Sequence, residues 1–461
     1  MTTALLVVPP FVKATSGPPL GPPMLRGAAL AAGHDVEVVD LAIEEVRRRV
    51  SAADLCIATG LAGDHDKNRA ALGRAQEEFF APVASAVARP ILSVTTCALT
   101  WPEVERAVAA LTTSGIGAKI EARLRCVTAP PGVVGLSVMF ADQVLAALVV
   151  TEAARRLWPE VPVVWGGTHV SALAPEIAAD ARYGRSIEGF VAGYAEETFV
   201  ALLDAIEHGL PWPDAVFRAG SRRCARARDR AAVVPAFTGL SAYGAPRLTL
   251  PAQLSRGCSY GACTFCTYPA IEGTYRVAPD LGHVPAVVRM AVAAGAVVSL
   301  KDAYLTTDSL SALARAIDGR VLWSGCTRVD SRLAARMKLI AASGCETLEL
   351  GVESVLAPTQ ALIRKKQPHR TLISIVEEGA RCGVRLVLNY MTGFPGEDLS
   401  AAREALDVVR ALASDHGHVV EHHEFELERR APLAKVVNPT ASWPWASIVE
   451  WRAGHAASAA A

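Results

Sequence analysis

The chain has 461 residues, 51% of them apolar, with basic and acidic side chains in equal number, 46 of each. That length allows two or three domains with full cores, and a neutral field gives no reason to expect nucleic acid or an anionic membrane as partner. No apolar run reaches the roughly eighteen residues of a membrane span, and the start, Met-Thr-Thr-Ala-Leu-Leu-Val-Val, lacks the basic region of a signal peptide. A cytoplasmic globular enzyme is expected.

In chain order, β-branched runs alternate with helical stretches: 4–8, 22–32 and 35–41 read as strand, helix and strand. A long segment, about 42–132, follows with mostly helical patterning, as at 69–80 and 102–111. The alternation resumes with a buried strand at 133–139, a helix at 143–157, a strand at 161–165 ending in Gly166-Gly167, and a strand at 189–192. These elements predict an α/β fold whose first domain, 1–208, is a doubly wound, Rossmann-like open sheet. Ligands of such sheets sit beyond the carboxyl ends of the strands, so Pro9, Pro10, Ser137, Gly166, Gly167, Thr168, Gly193 and Tyr194 are expected on one rim. His169 follows them as an expected hydrogen-bonding residue. Residues 209–246, rich in Pro, Arg and Gly, read as the connection between domains, with the basic run from Arg222 to Arg230 as a solvated boundary.

The second alternation spans 247–430 and counts six strand-helix units, with strands near 248–256, 296–301, 321–327, 347–351, 384–390 and 419–427. A partial (β/α)6 barrel is expected, with active-site residues at the carboxyl ends of its strands. Straight after its first strand comes Arg256-Gly-Cys258-Ser-Tyr-Gly-Ala-Cys263-Thr-Phe-Cys266. Three thiolates on one short loop suit an iron-sulfur cluster with one iron left open. A closed zinc site needs a fourth ligand, and the outside candidates, Cys224 and His283, lack ligand-pair spacing. The other cysteines (Cys56, Cys97, Cys126, Cys224, Cys326, Cys345 and Cys382) are scattered singly, as buried thiols are in a reducing compartment. Cys326 shares a strand face with Arg328, so either core packing or the cavity is open to it.

Polar residues at strand ends mark the remaining candidates. Asp302 ends the second strand. Arg328 ends the third, where it can pair with a carboxylate ligand or with Asp330. Glu421-His-His-Glu424 lies on the sixth, and alternation lets only one of its two pairs point inward. Residues 431–461 form a C-terminal extension, with the aromatic stretch Ser442 to Trp451 expected to pack onto the barrel or close its mouth and a frayed alanine-rich end.

The cysteine loop followed by six βα units resembles the radical S-adenosylmethionine superfamily. Its first spacer has four residues, a variant similar to that of cobalamin-binding members. Glu349-Leu-Gly-Val-Glu-Ser354 and Asn389-Tyr-Met-Thr-Gly-Phe-Pro-Gly-Glu397 are similar to the family's fourth- and fifth-strand signatures. Gly17-Pro-Pro-Leu-Gly21, Gly135-Leu-Ser-Val138, Val164-Trp-Gly-Gly-Thr-His169 and Gly193-Tyr-Ala-Glu-Glu197 are similar to the attached cobalamin-binding domain. The resemblance implies three cofactors: a 4Fe-4S cluster on Cys258, Cys263 and Cys266, S-adenosylmethionine, and cobalamin on the rim formed by Pro10, Ser137, Gly166, Gly167, Thr168, Gly193 and Tyr194. It implies that Phe265 contacts the adenine or packs the loop, and that Glu353 and Ser354 contact the nucleoside. With that donor in view, Arg328 could pair with the methionine carboxylate or with a substrate acid, and Asp302 is a candidate for substrate contact.

No Asp-x-His-x-x-Gly loop occurs, so the resemblance implies cobalamin without a histidine below the cobalt; His65 lacks that spacing. The implied reaction is C-methylation of an unactivated carbon in a peptide or other small natural-product precursor, by a 5′-deoxyadenosyl radical and methylcobalamin. An external electron donor of flavodoxin or ferredoxin type is implied. Rearrangement, cyclisation or ring contraction is the enzymatic alternative, and a non-catalytic zinc module the third.

Overall fold

The structure, a computed structural model, describes residues 2–12, 16–51, 65–91, 99–227, 233–243, 247–278, 281–437 and 449–452. Cys56, Cys97 and the stretch 442–448 lie outside them, as do residues 228–230 of the basic run, the alanine-rich end and the side chain of His65. The chain divides into two compact units between Leu248 and Thr249. Among the described residues no helix is long and apolar enough to cross a membrane.

The first unit is built on β1 (Thr3–Val8), β2 (Asp35–Asp40), β3 (Val133–Ser137), β4 (Val163–Gly166) and β5 (Gly189–Gly193), all parallel and ordered β2-β1-β3-β4-β5. The run Ala-Leu-Leu-Val-Val in β1 is buried throughout, as a strand covered on both faces must be. From β1 the chain steps to β2 on one side and later to β3 on the other. The order therefore reverses between β1 and β3, which opens a crevice at their carboxyl ends. One face of the sheet packs Leu6, Val133, Val164 and Val191 against Phe199, Leu202 and Leu203 of the helix Glu196–His208. Burying each such side chain contributes about 1.5–3 kcal/mol. The described helices of the segment between β2 and β3 are Leu41–Arg49, His65–Val87, Trp101–Thr113 and Gly115–Arg125.

The stretch read as a connection, 209–246, is not a free linker. In it β6 (Val216–Phe217) adds antiparallel to β5 and β7 (Arg226–Ala227) adds parallel. The Ala236 amide donates to the Pro23 carbonyl at 2.9 Å, and the Tyr243 hydroxyl donates to the Asp40 carboxylate. Its low periodicity comes from strands only two residues long, too short to show alternation.

The second unit begins with β8 (Thr249–Ala252), then the small antiparallel pair β9 (Ser255–Arg256) and β10 (Arg276–Val277). The barrel continues through β11 (Val297–Leu300), β12 (Trp323–Arg328), β13 (Cys345–Glu353), β14 (Arg385–Thr392) and β15 (Val419–Glu424). Together with β8 these make six parallel strands, each beside its neighbour in sequence. Trp323 donates its indole N–H to Ser343 at the end of the helix Met337–Ala342, and Leu386 lies against Gly379 of the helix His369–Cys382, so these rows face the helices. Alternation then puts Cys326 and Arg328 of β12, Glu349 of β13, and Asn389 and Met391 of β14 on the other, concave face. Register with Asn389 and Met391 assigns Glu421 and His423 to that face too. His422 points outward, 2.8 Å from the Thr392 hydroxyl. Beyond the barrel, β16 (Glu426–Glu428) pairs antiparallel with β17 (Val449–Arg452).

Candidate active site

The cysteine loop leaves the barrel where Asp302 anchors it. That carboxylate is 3% exposed and accepts hydrogen bonds from the Leu254 amide (3.0 Å), the Ser255 amide (2.5 Å) and the Ser255 hydroxyl (2.6 Å). Burial holds its pKa above the usual carboxylate range. Asp302, the candidate for substrate contact, has both oxygens accepting hydrogen bonds from the backbone at the start of the loop. Gly257 then turns the chain at φ +74°, where a Cβ would stand 2.8 Å from the Gly273 carbonyl oxygen. Its amide donates to Glu272 at 2.9 Å.

Cys258, Cys263 and Cys266 are free thiols, each partly exposed. Burial raises the Cys263 thiol, opposed by the fields of Lys365 and Arg328, and pushes Cys266 up to about 12. Thiols of this kind become ligands when a metal displaces their protons. Among the described residues no three His, Cys, Asp or Glu side chains are gathered to hold one metal ion.

Two segments distant in sequence clasp this loop. The Arg328 guanidinium lies 3.4 Å from the centre of the Tyr260 ring and donates to the Lys365 carbonyl at 2.6 Å. Asp330, its expected competitor, is taken by Arg332, whose amide donates to Oδ1 at 2.8 Å. The Arg328 Nε is buried and makes no hydrogen bond among the described residues, and neither does the buried Gln367 Oε1. An orphaned guanidinium N–H beside a three-thiol loop suits a carboxylate-bearing ligand. Glu353, at φ +64°, is paired with the Lys365 ammonium at 2.8 Å, and both are buried. Ser354 is fully buried, its hydroxyl accepting from the Leu356 amide at 3.2 Å.

Phe265 packs edge-to-face on Phe394 at 6.1 Å, within a cluster that includes Ile363, Phe425 and Leu427. Of its two expected roles the packing one is observed. The Gly-Phe-Pro-Gly-Glu397 motif is a self-capped turn: the Glu397 carboxylate accepts from the Gly393 and Phe394 amides at 2.7 and 3.2 Å, and from the Thr359 hydroxyl at 2.8 Å. Cys326 lies 3.4 Å from a Glu349 carboxylate oxygen, and burial raises its thiol pKa.

In the first unit, Ser137, Gly166, Gly167, Gly193 and Tyr194 gather at the mouth of an apolar cavity of about 140 Å³. The cavity runs below the rim between Leu6 and Val164 of the sheet and Leu25, Phe199 and Leu202 of the covering helices. Gly167 has φ +105°, and a Cβ there would stand 2.3 Å from the Val138 carbonyl oxygen. At Gly166 a Cβ would meet only the Val191 oxygen, at 3.6 Å, so that backbone is open to a flat ligand. Ser171 ties the rim together, accepting from the Gly193 amide and donating to the Gly167 carbonyl, both at 2.8 Å. Thr168 donates to the Met139 carbonyl at 2.6 Å. Pro10 lines a different groove, between the helices Leu41–Arg49 and Gly115–Arg125. The apolar cavity was not legible in the sequence, because its walls come from helices far apart in the chain.

A family model described as the B12 binding domain matches residues 113–203. Comparison with curated proteins gives no match. Among solved structures, the chain is similar to the radical S-adenosylmethionine methyltransferase TsrM from Kitasatospora setae with tryptophan substrate and an S-adenosylmethionine analogue bound. Identity is 19% over 94% of this chain and 75% of that one, with a TM-score of 0.61. It is similar also to the cobalamin-dependent S-adenosylmethionine radical enzyme OxsB, at 14% identity over 95% of this chain and 60% of that one, with a TM-score of 0.63. The chain therefore has the fold of the cobalamin-dependent radical S-adenosylmethionine enzymes, with a B12-binding domain match over residues 113–203.

Proposed function

We propose that the protein is a cobalamin-dependent radical S-adenosylmethionine enzyme that methylates an unactivated carbon of a peptide or natural-product precursor. The observation that carries this reading is the three-thiol loop, short of a fourth ligand, beside the buried and unsatisfied Arg328 Nε. The donor set suits a 4Fe-4S cluster with an open iron, and the glycine rim over an apolar cavity would suit a flat corrinoid. When bound, these groups supply one-electron cleavage of the donor and a carrier for the methyl group.

The residues then have separable tasks. Cys258, Cys263 and Cys266 hold three irons. Arg328 offers its free N–H to the carboxylate of the methionine moiety, the guanidinium plane being fixed by the Tyr260 stack. Glu353 and Ser354, at the end of β13, border the nucleoside, and Asp302 fixes the backbone from which the loop departs. On the concave face Glu349, Asn389, Glu421 and His423 are the polar groups available to substrate. Ser137, Gly166, Gly167, Gly193 and Tyr194, with Thr168 beside them, would form the corrinoid platform, while Pro10 faces a separate groove. A one-electron donor of flavodoxin or ferredoxin type would supply the electron for the cluster, and a reducing, cytoplasmic setting would keep its cysteine ligands as thiolates.

The likeness to a methyltransferase that takes tryptophan supports a small-molecule or peptide substrate with an amino-acid core. Incubation with methyl-labelled cosubstrate tests the reading: a product heavier by one labelled methyl group is expected. An unshifted product formed together with 5′-deoxyadenosine would replace methylation with rearrangement, cyclisation or ring contraction.

A further inference from the structure

The turn from Ile363 to Gln367 is strained and heavily held, and the tasks above leave its lysine without one. Arg364 and Lys366 both have φ +53°, and Glu353, which faces Lys365, has φ +64°. Left-handed backbone at residues with a Cβ carries a conformational cost and gathers at functional sites. The strain is held from the cysteine loop itself. Thr264, between Cys263 and Cys266, donates its amide to the Ile363 carbonyl at 3.1 Å and its hydroxyl to the Leu362 carbonyl at 2.8 Å. The Tyr260 hydroxyl donates to the Arg364 carbonyl, and Arg328 donates to that of Lys365 at 2.6 Å.

All of this places one ammonium. Lys365 is 5% exposed; its Nζ lies 2.8 Å from Glu353 Oε1 and 5.8 Å from the centre of the Phe265 ring, next to Cys266. Gly351 makes room for the pair, since a Cβ there would stand 2.6 Å from Glu353 Oε1 and 2.8 Å from Lys365 Nζ. A buried ion pair is weak evidence of stabilisation, because desolvating both charges offsets their attraction. Stability alone therefore does not account for a strained turn built to carry one.

We infer that Lys365 is a positioning residue that sets the charge balance of the cysteine loop. Its buried ammonium favours the more negative, reduced state of the cluster and so raises the reduction potential, while Glu353 holds the ammonium in place and partly offsets its field. The inference rests on the assignment of an iron-sulfur cluster to Cys258, Cys263 and Cys266. The physical basis is that a fixed charge acts strongly in a low-dielectric site, and cluster potentials follow local net charge.

The test uses the full chain, reconstituted anaerobically and titrated electrochemically with detection by electron paramagnetic resonance, alongside iron and sulfide analysis. In Lys365→Met the midpoint moves negative, so that at fixed potential the reduced-to-oxidised ratio falls about tenfold, or about 59 mV for a one-electron couple. Glu353→Gln moves it positive, and Lys365→Arg leaves it near the wild-type value. A purely structural pair behaves otherwise: Lys365→Met and Glu353→Gln both lose cluster and melt earlier, while the cluster that remains titrates unchanged, and that result overturns the inference. Should Lys365→Met not retain a cluster, Glu353→Gln decides, a positive shift supporting the role and no shift or a negative one refuting it. Wild-type protein that takes up no iron and sulfide sinks the cluster assignment itself, whereas loaded wild type with unmoved variants sinks only the role of Lys365.

Discussion

The cysteine loop of the second unit and the glycine rim of the first solve opposite problems. The loop is a place for charge: three thiols, a stacked guanidinium with an unsatisfied N–H and a buried ammonium-carboxylate pair surround one turn. The cavity below the rim is largely apolar, walled by Leu6, Leu25, Val164 and Phe199, and the rim's glycines keep side chains off its edge. A group held by covalent ligands and charge should respond to single-atom changes in its ligands. One held by shape should respond to added volume instead.

The largest effect should come from removing a ligand. Cys263→Ala is expected to abolish 5′-deoxyadenosine formation and cluster loading while corrinoid binding, read from the visible spectrum of the loaded protein, stays intact. Preserved cleavage would refute the ligand assignment. The reciprocal change is Gly21→Phe. Gly21 lines the apolar cavity, and a Cβ there meets only the Ser137 hydroxyl oxygen, at 4.0 Å, so a side chain can start there without a backbone clash and occupy cavity volume. Corrinoid affinity should fall at least about tenfold, or 1.4 kcal/mol, with iron and sulfide content unchanged. Equal loss of both cofactors would mean that the two places are not independent.

Arg328→Lys is subtler. Lysine keeps the charge but loses the planar stack on Tyr260 and the fork that presents Nε, so binding of S-adenosylmethionine by equilibrium dialysis should weaken about tenfold with cluster loading retained. The smallest effect concerns stability. Burial lowers the pKa of His283 to about 4, its Nε2 accepting from the Gln253 amide at 3.0 Å. A depressed folded pKa contributes stability that is present above the ordinary value near 6.5 and lost as pH falls through about 4. Between pH 7 and 4 that amounts to about 2–3 kcal/mol. Denaturant unfolding of the second unit should show it, and His283→Gln, which keeps an acceptor without a titrating proton, should flatten the slope.

How far each region could be read from the chain follows the same division. The cysteine loop was legible because ligand spacing is local: Cys258, Cys263 and Cys266 announce their chemistry within nine residues. The parallel strands were legible too, since buried β-branched runs such as that of β1 have few other homes. Lys365 was not, because its role depends on backbone at positive φ in Arg364 and Lys366, which no residue preference signals. Asp302 was read by its place at a strand end, but its environment decides: backbone donors fill both oxygens. The inward pair on β15 needed register, which settles Glu421 and His423 over His422 and Glu424. Residues 209–246 looked like a connection because two-residue strands carry no period.

The most direct test of the central claim is the iron, sulfide, cobalt and zinc content of a single sample of the full chain, isolated without oxygen and supplied with cobalamin. The expected result is about four iron, four sulfide and one cobalt per chain. Stoichiometric zinc without sulfide, or iron and sulfide with no cobalt retained, would contradict it.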